Sequence, residues 1–383
     1  MQLLSVRNAA QARAPVLLSL PELAGTEERH LAEMLASGWI APAGPLVAAF
    51  EAAAARATGF PHITAVASGT AALQLACRLA GVQPGDQVWT CTLTYIATVS
   101  PLVQMGARPV FLDAAASSWT LDPDLLADTL ARATRCGRLP RAVISVDLYG
   151  QCADMPALRA ACDRWGVALI ADCAESLGAM AHGQRAGHGA HLAAFSFNGN
   201  KVVTCGGGGA LAADDAATVA RARFLATQAK EPAPHYQHET TGYTCVLPAP
   251  CAAIGLAQLP QLAARVARRR AVFDAYRDGL AGIPGLRFMP EPAWSRGSRW
   301  LTAVLLPPGR REAVHDALAA EGIESRAVWK PMHLQPVFRR AQRVGGAVAS
   351  GLFRDGLCLP SGPMPPDGQA RVIAAIRRTL GAA

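Results

Sequence analysis

A lysine placed between aromatic residues and a glycine run stands out in this chain of 383 residues. Lys201 ends the run Phe195-Ser-Phe-Asn-Gly-Asn-Lys201, and four glycines follow at 206–209. Upstream, the apolar run 167–171 leads into Asp172, and Glu175 comes three residues later. A lysine amine reacts as a nucleophile only when it is neutral, so its pKa has to fall well below ~10.4 through burial or a nearby cation.

This combination is what pyridoxal phosphate chemistry needs. The cofactor forms a Schiff base with a lysine, and a carboxylate facing its pyridine nitrogen keeps that nitrogen protonated, which makes the ring an electron sink. We therefore predict that Lys201 forms the Schiff base and that Asp172 faces the pyridine nitrogen. The other interpretation, a surface lysine beside a glycine turn, is disfavoured by the acidic residue, by Ser196 and by the strand pattern.

Strands and helices alternate from residue 63 onwards. Apolar strands are expected at 63–67, 87–90, 109–113, 142–147, 167–171 and 193–197, with helices between several of them. Continuous apolar strands separated by helices indicate a mostly parallel sheet that is covered on both faces. Ligands bind such sheets at the carboxyl ends of the strands. Four chemically useful residues fall at or near such ends: Ser68, Tyr95, Asp172 and Ser196.

The turn Ser68-Gly-Thr70 precedes the helix former 71–80. Free backbone N–H groups and the helix dipole make such a helix start an anion site. An ordinary helix cap by Ser68 or Thr70 would explain the same pattern.

The C-terminal third has a different character. Residues 228–250 are predicted to be a long irregular segment, and segments of this length are usually functional or form interfaces. A long helix at about 252–280 follows, and then a small α+β unit with strands near 286–288 and 302–306. We predict two domains, a large cofactor-binding one at 1–250 and a smaller one at 251–383.

Composition excludes several classes of protein. The chain is 51% apolar and carries a net charge of +8, with dispersed basic residues and no nucleic-acid motif, so an anionic small substrate fits better than a nucleic acid. No long uncharged apolar run predicts a membrane span, and the start of the chain does not resemble a secretory signal. Ten cysteines without a C-x-x-C pair suit the reducing cytoplasm, and no metal site is expected.

The chain resembles the DegT/StrS family of sugar aminotransferases, which have the α/β fold type I of pyridoxal phosphate enzymes. The resemblance covers nearly the whole chain. It rests on five stretches, namely 37–45, 67–73, 106–113, 172–178 and 195–209. Further stretches at 147–151, 329–336 and 357–362 resemble the subgroup that aminates UDP-4-keto-6-deoxy-N-acetylglucosamine in bacillosamine-type and surface-glycan pathways.

The resemblance implies a role for each matching residue. Lys201 would be the Schiff-base lysine and proton shuttle, and relatives that dehydrate sugars have histidine there. Asp172 would pair with the pyridinium nitrogen. The remaining cofactor contacts would be Gly69, Thr70 and Ser196 at the phosphate, Tyr95 stacked on the ring and Glu175 near the ring oxygen. Substrate contacts are predicted at Trp39, Trp329, Lys330 and His333, although Trp39 and His333 would also suit packing roles.

The family also implies the partners. Glutamate is its usual amino donor, a nucleotide-linked keto sugar is the acceptor, and the active sites are shared across a homodimer.

One segment departs from the family pattern, since Gly242-Tyr-Thr-Cys-Val-Leu-Pro248 has Thr244 and Val246 where asparagine and arginine are usual. The asparagine reaches the phosphate of the neighbouring subunit, so either that contact or the sugar-nucleotide contact should be altered here.

Three alternatives stay open at this point. The acceptor could be another 3- or 4-keto nucleotide sugar. The enzyme could instead act on amino acids, in which case Arg326 is the candidate for binding an α-carboxylate. The chain could also be a cofactor-binding regulator or inactive structural partner, although Lys201 and Asp172 count against that.

Overall fold

The computed structural model describes residues 14–382. The start of the chain, on which the expectation of no secretory signal rests, lies outside the described residues. Within 14–382, none of the helices combines the length and the apolar character that crossing a bilayer requires.

Fifteen strands are found in the described part of the chain. They are β1 (His62–Val66), β2 (Gln87–Cys91), β3 (Arg108–Leu112), β4 (Ala142–Val146), β5 (Ala168–Asp172), β6 (Met180–Ala181), β7 (Gln184–Arg185), β8 (Leu192–Ser196), β9 (Gly209–Ala213), β10 (Arg287–Phe288), β11 (Ser295–Arg296), β12 (Thr302–Leu305), β13 (Arg326–Ala327), β14 (Gln342–Val344) and β15 (Gly356–Leu359).

The same residues form twelve α-helices. They are α1 (Glu27–Ser37), α2 (Pro45–Thr58), α3 (Gly69–Leu79), α4 (Ser100–Gln104), α5 (Pro123–Arg135), α6 (Met155–Asp163), α7 (Ala216–Ala226), α8 (Ala249–Gln258), α9 (Leu262–Gly279), α10 (Arg311–Ala320), α11 (Ala347–Asp355) and α12 (Gly368–Leu380).

Eight strands form one large sheet in the order β1-β9-β8-β5-β4-β2-β3-β14. Neighbouring strands from β8 to β14 pair in parallel, whereas β9 runs antiparallel to both β1 and β8. All strands except β9 therefore point the same way. The predicted α/β class, with a large mostly parallel sheet, is confirmed.

The apolar runs explain why this sheet is central. Strands β4 and β9 are buried along their whole length, and β1, β2 and β5 are buried at all but their first residue. Two apolar clusters fill the two faces of the sheet, as both faces of a parallel sheet require. The carboxyl ends of β1, β4, β5 and β8 consequently meet at one edge, which brings together side chains that are far apart in sequence.

A second sheet, in the order β10-β12-β15-β13, is antiparallel and packs with α10 and α12 around its own apolar cluster. The C-terminal stretch nevertheless contributes β14 to the edge of the large sheet, beside β3. The domain boundary at residue 250 stays a prediction.

Two elements differ from expectation. The helix expected at 252–280 is divided into α8 and α9 by a 3-10 turn at Leu259–Gln261, because Pro260 has no N–H to continue the helical hydrogen bonds. Strand β9 was not predicted, because its sequence Gly-Ala-Leu-Ala-Ala lacks the β-branched and aromatic residues that mark strands. These small residues form a strand because β9 pairs with β1 on one side and β8 on the other and is buried along its whole length.

Candidate active site

A cavity of about 660 Å³ opens at the carboxyl edge of the large sheet. Its walls come from the ends of β1, β4, β5 and β8, from the N-terminus of α3, and from the loops at 300–301 and 324–329. The structure brings eight of the predicted site residues to this cavity: Gly69, Thr70, Tyr95, Asp172, Glu175, Ser196, Lys201 and Trp329.

Lys201 projects into the cavity with 13% of its side chain exposed. Its Nζ lies 3.9 Å from Oε1 of Glu175 and 4.0 Å from the centre of the Trp300 ring. Burial lowers the pKa of Lys201, while the carboxylates of Glu175 and Asp172 act in the opposite direction. The amine is therefore easier to deprotonate than a surface lysine, as a nucleophile and proton carrier must be.

Asp172 ends β5 and is buried, with 5% of its surface exposed. The hydroxyl of Thr98 donates to its Oδ2 at 2.7 Å, and the backbone N–H of Ala174 donates to its Oδ1 at 3.1 Å. Burial raises the pKa of Asp172, and these two hydrogen bonds oppose that rise. A buried carboxylate of this kind needs a cationic partner, and a protonated pyridine nitrogen would supply one.

Glu175 lies between the lysine and the loop after β4. The backbone N–H of Tyr149 donates to its Oε2 at 2.8 Å, and the Tyr149 hydroxyl accepts the backbone N–H of Trp329 at 2.8 Å. Tyr149 has a left-handed backbone with φ of 50° and stacks between Trp300 and Trp329. The pKa of Glu175 is raised to about 7, because the effect of burial exceeds the opposing effects of the nearby Lys201 and the Tyr149 N–H.

The opposite end of the cavity is suited to an anion. Ser68 caps α3 by accepting the backbone N–H of Ala71 at 3.1 Å, a cap of about 1 kcal/mol. Gly69 and Thr70 form the first turn of α3, where backbone N–H groups lack helical partners. Ser196 ends β8 directly beside this turn, since a Cβ at Gly69 would lie 3.0 Å from the Ser196 Cβ.

Aromatic rings cover the outer side of the cavity. Tyr95 is half exposed, and its ring centre lies 5.2 Å from that of Trp329 with a 45° tilt between the planes. Tyr95 follows β2 and Trp329 follows β13, so the two rings come from different sheets. A flat ligand could stack against Tyr95.

Three predicted substrate contacts lie elsewhere. Lys330 lines a neighbouring depression rather than the main cavity. His333 is buried, and its ring bonds to the hydroxyls of Thr92 at 2.7 Å and Ser350 at 3.2 Å. Trp39 is half exposed in the turn after α1, away from the residues that line the cavity. Their substrate roles stay predictions.

The cavity residues fit pyridoxal phosphate. They provide a buried amine, a buried carboxylate that could face the ring nitrogen, an exposed aromatic ring and a helix start for the phosphate. Among residues 14–382, no group of three or more histidine, cysteine or acidic side chains is arranged to hold a metal ion.

Residues 21–377 match the DegT/DnrJ/EryC1/StrS aminotransferase family. EpsN of Bacillus subtilis, which carries the name of a pyridoxal phosphate-dependent aminotransferase, is 44% identical, and the match covers 94% of this chain and 95% of EpsN. GDP-perosamine synthase of Vibrio cholerae is 32% identical over 92% of this chain and 95% of its own. The chain belongs to the DegT/DnrJ/EryC1/StrS aminotransferase family.

A solved structure of a family member from Brucella abortus has the same fold. It superposes with a TM-score of 0.87 at 29% identity, and the match covers 93% of this chain and 96% of that one. The resemblance to the DegT/StrS family, the fold type I architecture and the pyridoxal phosphate cofactor are thereby confirmed, whereas the UDP-4-keto-6-deoxy-N-acetylglucosamine subgroup stays a prediction. The protein is an aminotransferase.

Sequence reasoning missed three aminotransferase residues that line or support the cavity, namely Ser19, Tyr149 and Trp300. The hydroxyl of Ser19 and the indole N–H of Trp300 both donate to the backbone carbonyl of Asn200, each at 2.8 Å. These residues come from segments almost 300 positions apart, so no local spacing could have linked them. For Trp300, the one available signal was a tryptophan directly before a predicted strand.

The segment that departs from the family pattern runs beside the end of β1. The Ala67 N–H donates to the Cys245 carbonyl at 2.7 Å, and Val246 pairs with Val66. Thr244 accepts a hydrogen bond from the Gln228 side chain of the same chain at 2.9 Å. The hydroxyl of Thr244 is therefore held within its own subunit.

We expect Glu175→Gln to remove a pH dependence from the stability of the cofactor-free aminotransferase. The pKa of Glu175 is about 7 in the folded protein, against an ordinary value of 4.5, so the folded state binds more protons between these values. The stabilisation of the folded protein that comes from this raised pKa is fully present below pH 4.5 and is lost as the pH rises through 7. Glutamine keeps the acceptor for Tyr149 without acquiring this charge.

Urea unfolding at pH 5 and at pH 8 measures the effect. The stability of Glu175→Gln relative to the parent should rise by about 1–3 kcal/mol between the two pH values. The exposed Glu28→Gln serves as the matched control for loss of a carboxyl group. A difference between Glu175→Gln and the parent that stays constant with pH would contradict the placement of Glu175.

We expect Gly209→Ala to disrupt the anion end of the cavity. A Cβ at Gly209 would lie 2.3 Å from the carbonyl carbon of Ser68 and 2.4 Å from its oxygen, and backbone atoms cannot rotate away. The added methyl should cost about 1–3 kcal/mol of stability and weaken cofactor binding. Thermal unfolding and cofactor titration test this, with Gly351→Ala as control because nothing lies within 4 Å of its Cβ position. Equal behaviour of the two variants would refute the close approach.

Proposed function

We propose that this protein transfers an amino group from glutamate to a 4-keto-6-deoxy nucleotide sugar, and that the acceptor is UDP-4-keto-6-deoxy-N-acetylglucosamine. The product would be a UDP-4-amino sugar for glycan or bacillosamine-type biosynthesis. The observation that carries the proposal is the buried amine of Lys201, which shares one cavity with the buried carboxylate of Asp172.

The size and charge of the site support a large anionic acceptor. A neighbouring depression of about 800 Å³ shares Tyr95 and Trp329 with the main cavity, and it is lined by Arg326 and Lys330. A nucleotide sugar has an uncharged sugar at the reacting end and a diphosphate further out. This matches a cavity that continues into a depression where Lys330 adds a positive charge to the Arg326–Glu324 pair. The net charge of +8 favours anionic ligands in general.

The names of relatives support the same class of acceptor. GDP-perosamine synthase is named for a nucleotide-linked amino sugar. A protein of Acidithiobacillus ferrooxidans with 35% identity is named as a UDP-N-acetyl-3-dehydro-alpha-D-glucosamine 3-aminotransferase. Another 3- or 4-keto nucleotide sugar is therefore the alternative acceptor. A regulator without activity is disfavoured, because Lys201 and Asp172 are both present.

A transaminase of amino acids, with a 2-oxo acid as the acceptor, has less support. Arg326, the candidate for binding an α-carboxylate, is already paired with Glu324 at 2.9 Å and has 65% of its side chain exposed. A carboxylate-binding arginine would need a free guanidinium face directed at the reacting amine.

The residues of the chain have separate tasks in the proposed reaction. Bound pyridoxal phosphate supplies an electron-withdrawing ring. Asp172 holds the positive charge on the ring nitrogen, and Tyr95 covers the ring face. Lys201, as a free neutral amine, would take the proton from Cα of glutamate and pass it to the cofactor. In the second half the same amine would take a proton from the cofactor and pass it to the sugar carbon that receives the nitrogen.

We further propose a cytoplasmic homodimer with shared active sites. Ten free cysteines fit a reducing compartment. Large apolar side chains are exposed near the N-terminus and in the 228–250 segment, and an isologous interface would cover them: Leu20, Leu23, Leu35, Trp39, Ile40 and Tyr236. Full activity of a monomer, independent of protein concentration, would contradict this.

A panel of acceptors tests the substrate. The enzyme is incubated with ¹⁵N-glutamate and UDP-4-keto-6-deoxy-N-acetylglucosamine, the corresponding GDP- and dTDP-linked 4-keto sugars, or a UDP-3-keto sugar. Mass spectrometry and NMR then show which carbon receives the ¹⁵N label. Preferential labelling of C4 in the UDP sugar supports the proposal. If another keto sugar is labelled with a higher kcat/KM, that sugar is the acceptor instead of the proposed one. If only 2-oxo acids are labelled, the assignment of a sugar substrate is overturned.

A further inference from the structure

Trp300 contacts the reactive lysine in two ways. It is a buried residue, 2% exposed, that lines the cavity, and it lies just before β12. The face of its ring lies 4.0 Å from the Nζ of Lys201. Its indole Nε1 donates to the carbonyl of Asn200, which belongs to the peptide bond that joins Asn200 to Lys201. One side chain thus contacts both ends of the lysine residue.

The indole is itself held firmly. Arg269, which is buried on α9, donates from one guanidinium nitrogen to the Trp300 carbonyl and from the other to the Ser19 hydroxyl at 3.0 Å. Ser19 in turn donates to the Asn200 carbonyl at 2.8 Å. Arg269 therefore fixes both donors to that carbonyl, and the ring of Tyr149 stacks beside the indole.

We infer that Trp300 is a positioning residue that receives the Lys201 amine whenever the lysine is not bonded to the cofactor. The inference rests on the proposed role of Lys201. In a transamination the lysine is displaced by the incoming amine and must remain within reach for proton transfer and for return. The ring face attracts the ammonium form by a cation–π contact. The Nε1 hydrogen bond fixes the backbone from which the side chain extends.

The two contacts have separable effects. Burial disfavours the ammonium form of Lys201, and the ring face partly offsets this by stabilising that form. Loss of the ring face therefore shifts the amine towards its neutral form. Loss of the Nε1 donor loosens the lysine without changing its charge preference. The charged groups that line the cavity around the amine are Asp147, Asp172, Glu175, Glu324 and Arg326, and all of them remain in the variants below.

The test is the rate at which cofactor-free protein binds pyridoxal phosphate to Lys201, followed by the absorption band of the lysine-bound cofactor. The neutral amine attacks the aldehyde carbon and water leaves, so the rate rises with pH towards a plateau. The reaction of free pyridoxal phosphate with a simple amine gives the baseline at each pH. This readout needs no turnover.

Trp300→Leu removes both contacts, and Trp300→Phe keeps a ring face but removes the N–H donor. For Trp300→Leu, the ratio of the low-pH rate to the plateau rate should rise roughly two- to tenfold. For Trp300→Phe, that ratio should stay at the parent value while the plateau falls roughly two- to tenfold. Trp165→Leu is the matched control, since Trp165 also faces a cation, Arg164, but precedes β5 at the opposite edge of the sheet.

The outcomes distinguish a failure of the role of Trp300 from a failure of the proposed role of Lys201. An unchanged ratio in Trp300→Leu, or an equal change in both Trp300 variants, overturns the ring-face contact. If Trp300→Leu does not fold, Trp300→Phe decides, and an unchanged plateau overturns the positioning role. If the parent protein itself forms no band, the role of Lys201 fails and the inference falls with it.

Discussion

Lys201→Ala should abolish the absorption band of lysine-bound pyridoxal phosphate and reduce the rate of the glutamate half-reaction by roughly 10⁴-fold. Lys201 is the lysine whose Nζ enters the cavity beside Glu175, and burial lowers its pKa so that it can carry a proton. Alanine removes the group that we propose as both the nucleophile and the proton carrier. Stopped-flow absorbance after addition of glutamate measures the loss.

Two comparisons exclude a folding defect. Lys201→Arg keeps a positive charge opposite Glu175 but cannot form the covalent bond, so it should be as inactive as alanine while retaining the parent unfolding temperature. A small primary amine added to Lys201→Ala should restore part of the half-reaction, because it replaces the missing base. A band of parental intensity in Lys201→Ala would mean that another lysine binds the cofactor.

Asp172→Asn should reduce the glutamate half-reaction by roughly 10²- to 10³-fold while leaving the fold intact. The amide is close in size and keeps an oxygen for the N–H of Ala174. It has no charge to hold a proton on the cofactor nitrogen, so the ring loses much of its electron-withdrawing power. The rate constant of the half-reaction at saturating glutamate is the measurement.

Thr98→Val is the graded control for Asp172→Asn. It removes the hydroxyl that donates to Oδ2 of Asp172 at 2.7 Å and leaves the carboxylate in place. The loss should be about tenfold, as expected for one hydrogen bond to a charged group. If Thr98→Val were as damaging as Asp172→Asn, the charge of Asp172 would not be the decisive feature.

Much of the fold could be predicted because its determinants are local. Continuous apolar runs such as 142–147 and 193–197 predicted β4 and β8 to within one or two residues of their observed bounds. Their alternation with helices predicted the parallel sheet, and the rule that ligands bind at strand ends brought Asp172 and Ser196 to one cavity. The missed elements had weak local signals, as with the alanine-rich β9 and the helix break at Pro260.

The site could be predicted only in part, because some of its members are set by tertiary contacts. Lys201 and Asp172 belong to short local motifs whose reactive or ionisable side chains could be recognised from the sequence. Ser19, Tyr149 and Trp300 reach the site through contacts between distant segments. The stretch 147–151 matched the family pattern, but that match did not assign a role to Tyr149. His333 was placed near the substrate by resemblance alone, and its ring is occupied by Thr92 and Ser350.

A spectrum recorded through one full cycle tests the central claim most directly. Purified protein is loaded with pyridoxal phosphate, glutamate is added, excess glutamate is removed, and UDP-4-keto-6-deoxy-N-acetylglucosamine follows. We expect the band of the lysine-bound cofactor to disappear with glutamate and to return with the keto sugar. Return with a different keto sugar would change only the acceptor. If no band forms with the cofactor, or if glutamate leaves the band unchanged, the assignment of Lys201 as the centre of a glutamate-dependent transamination is contradicted.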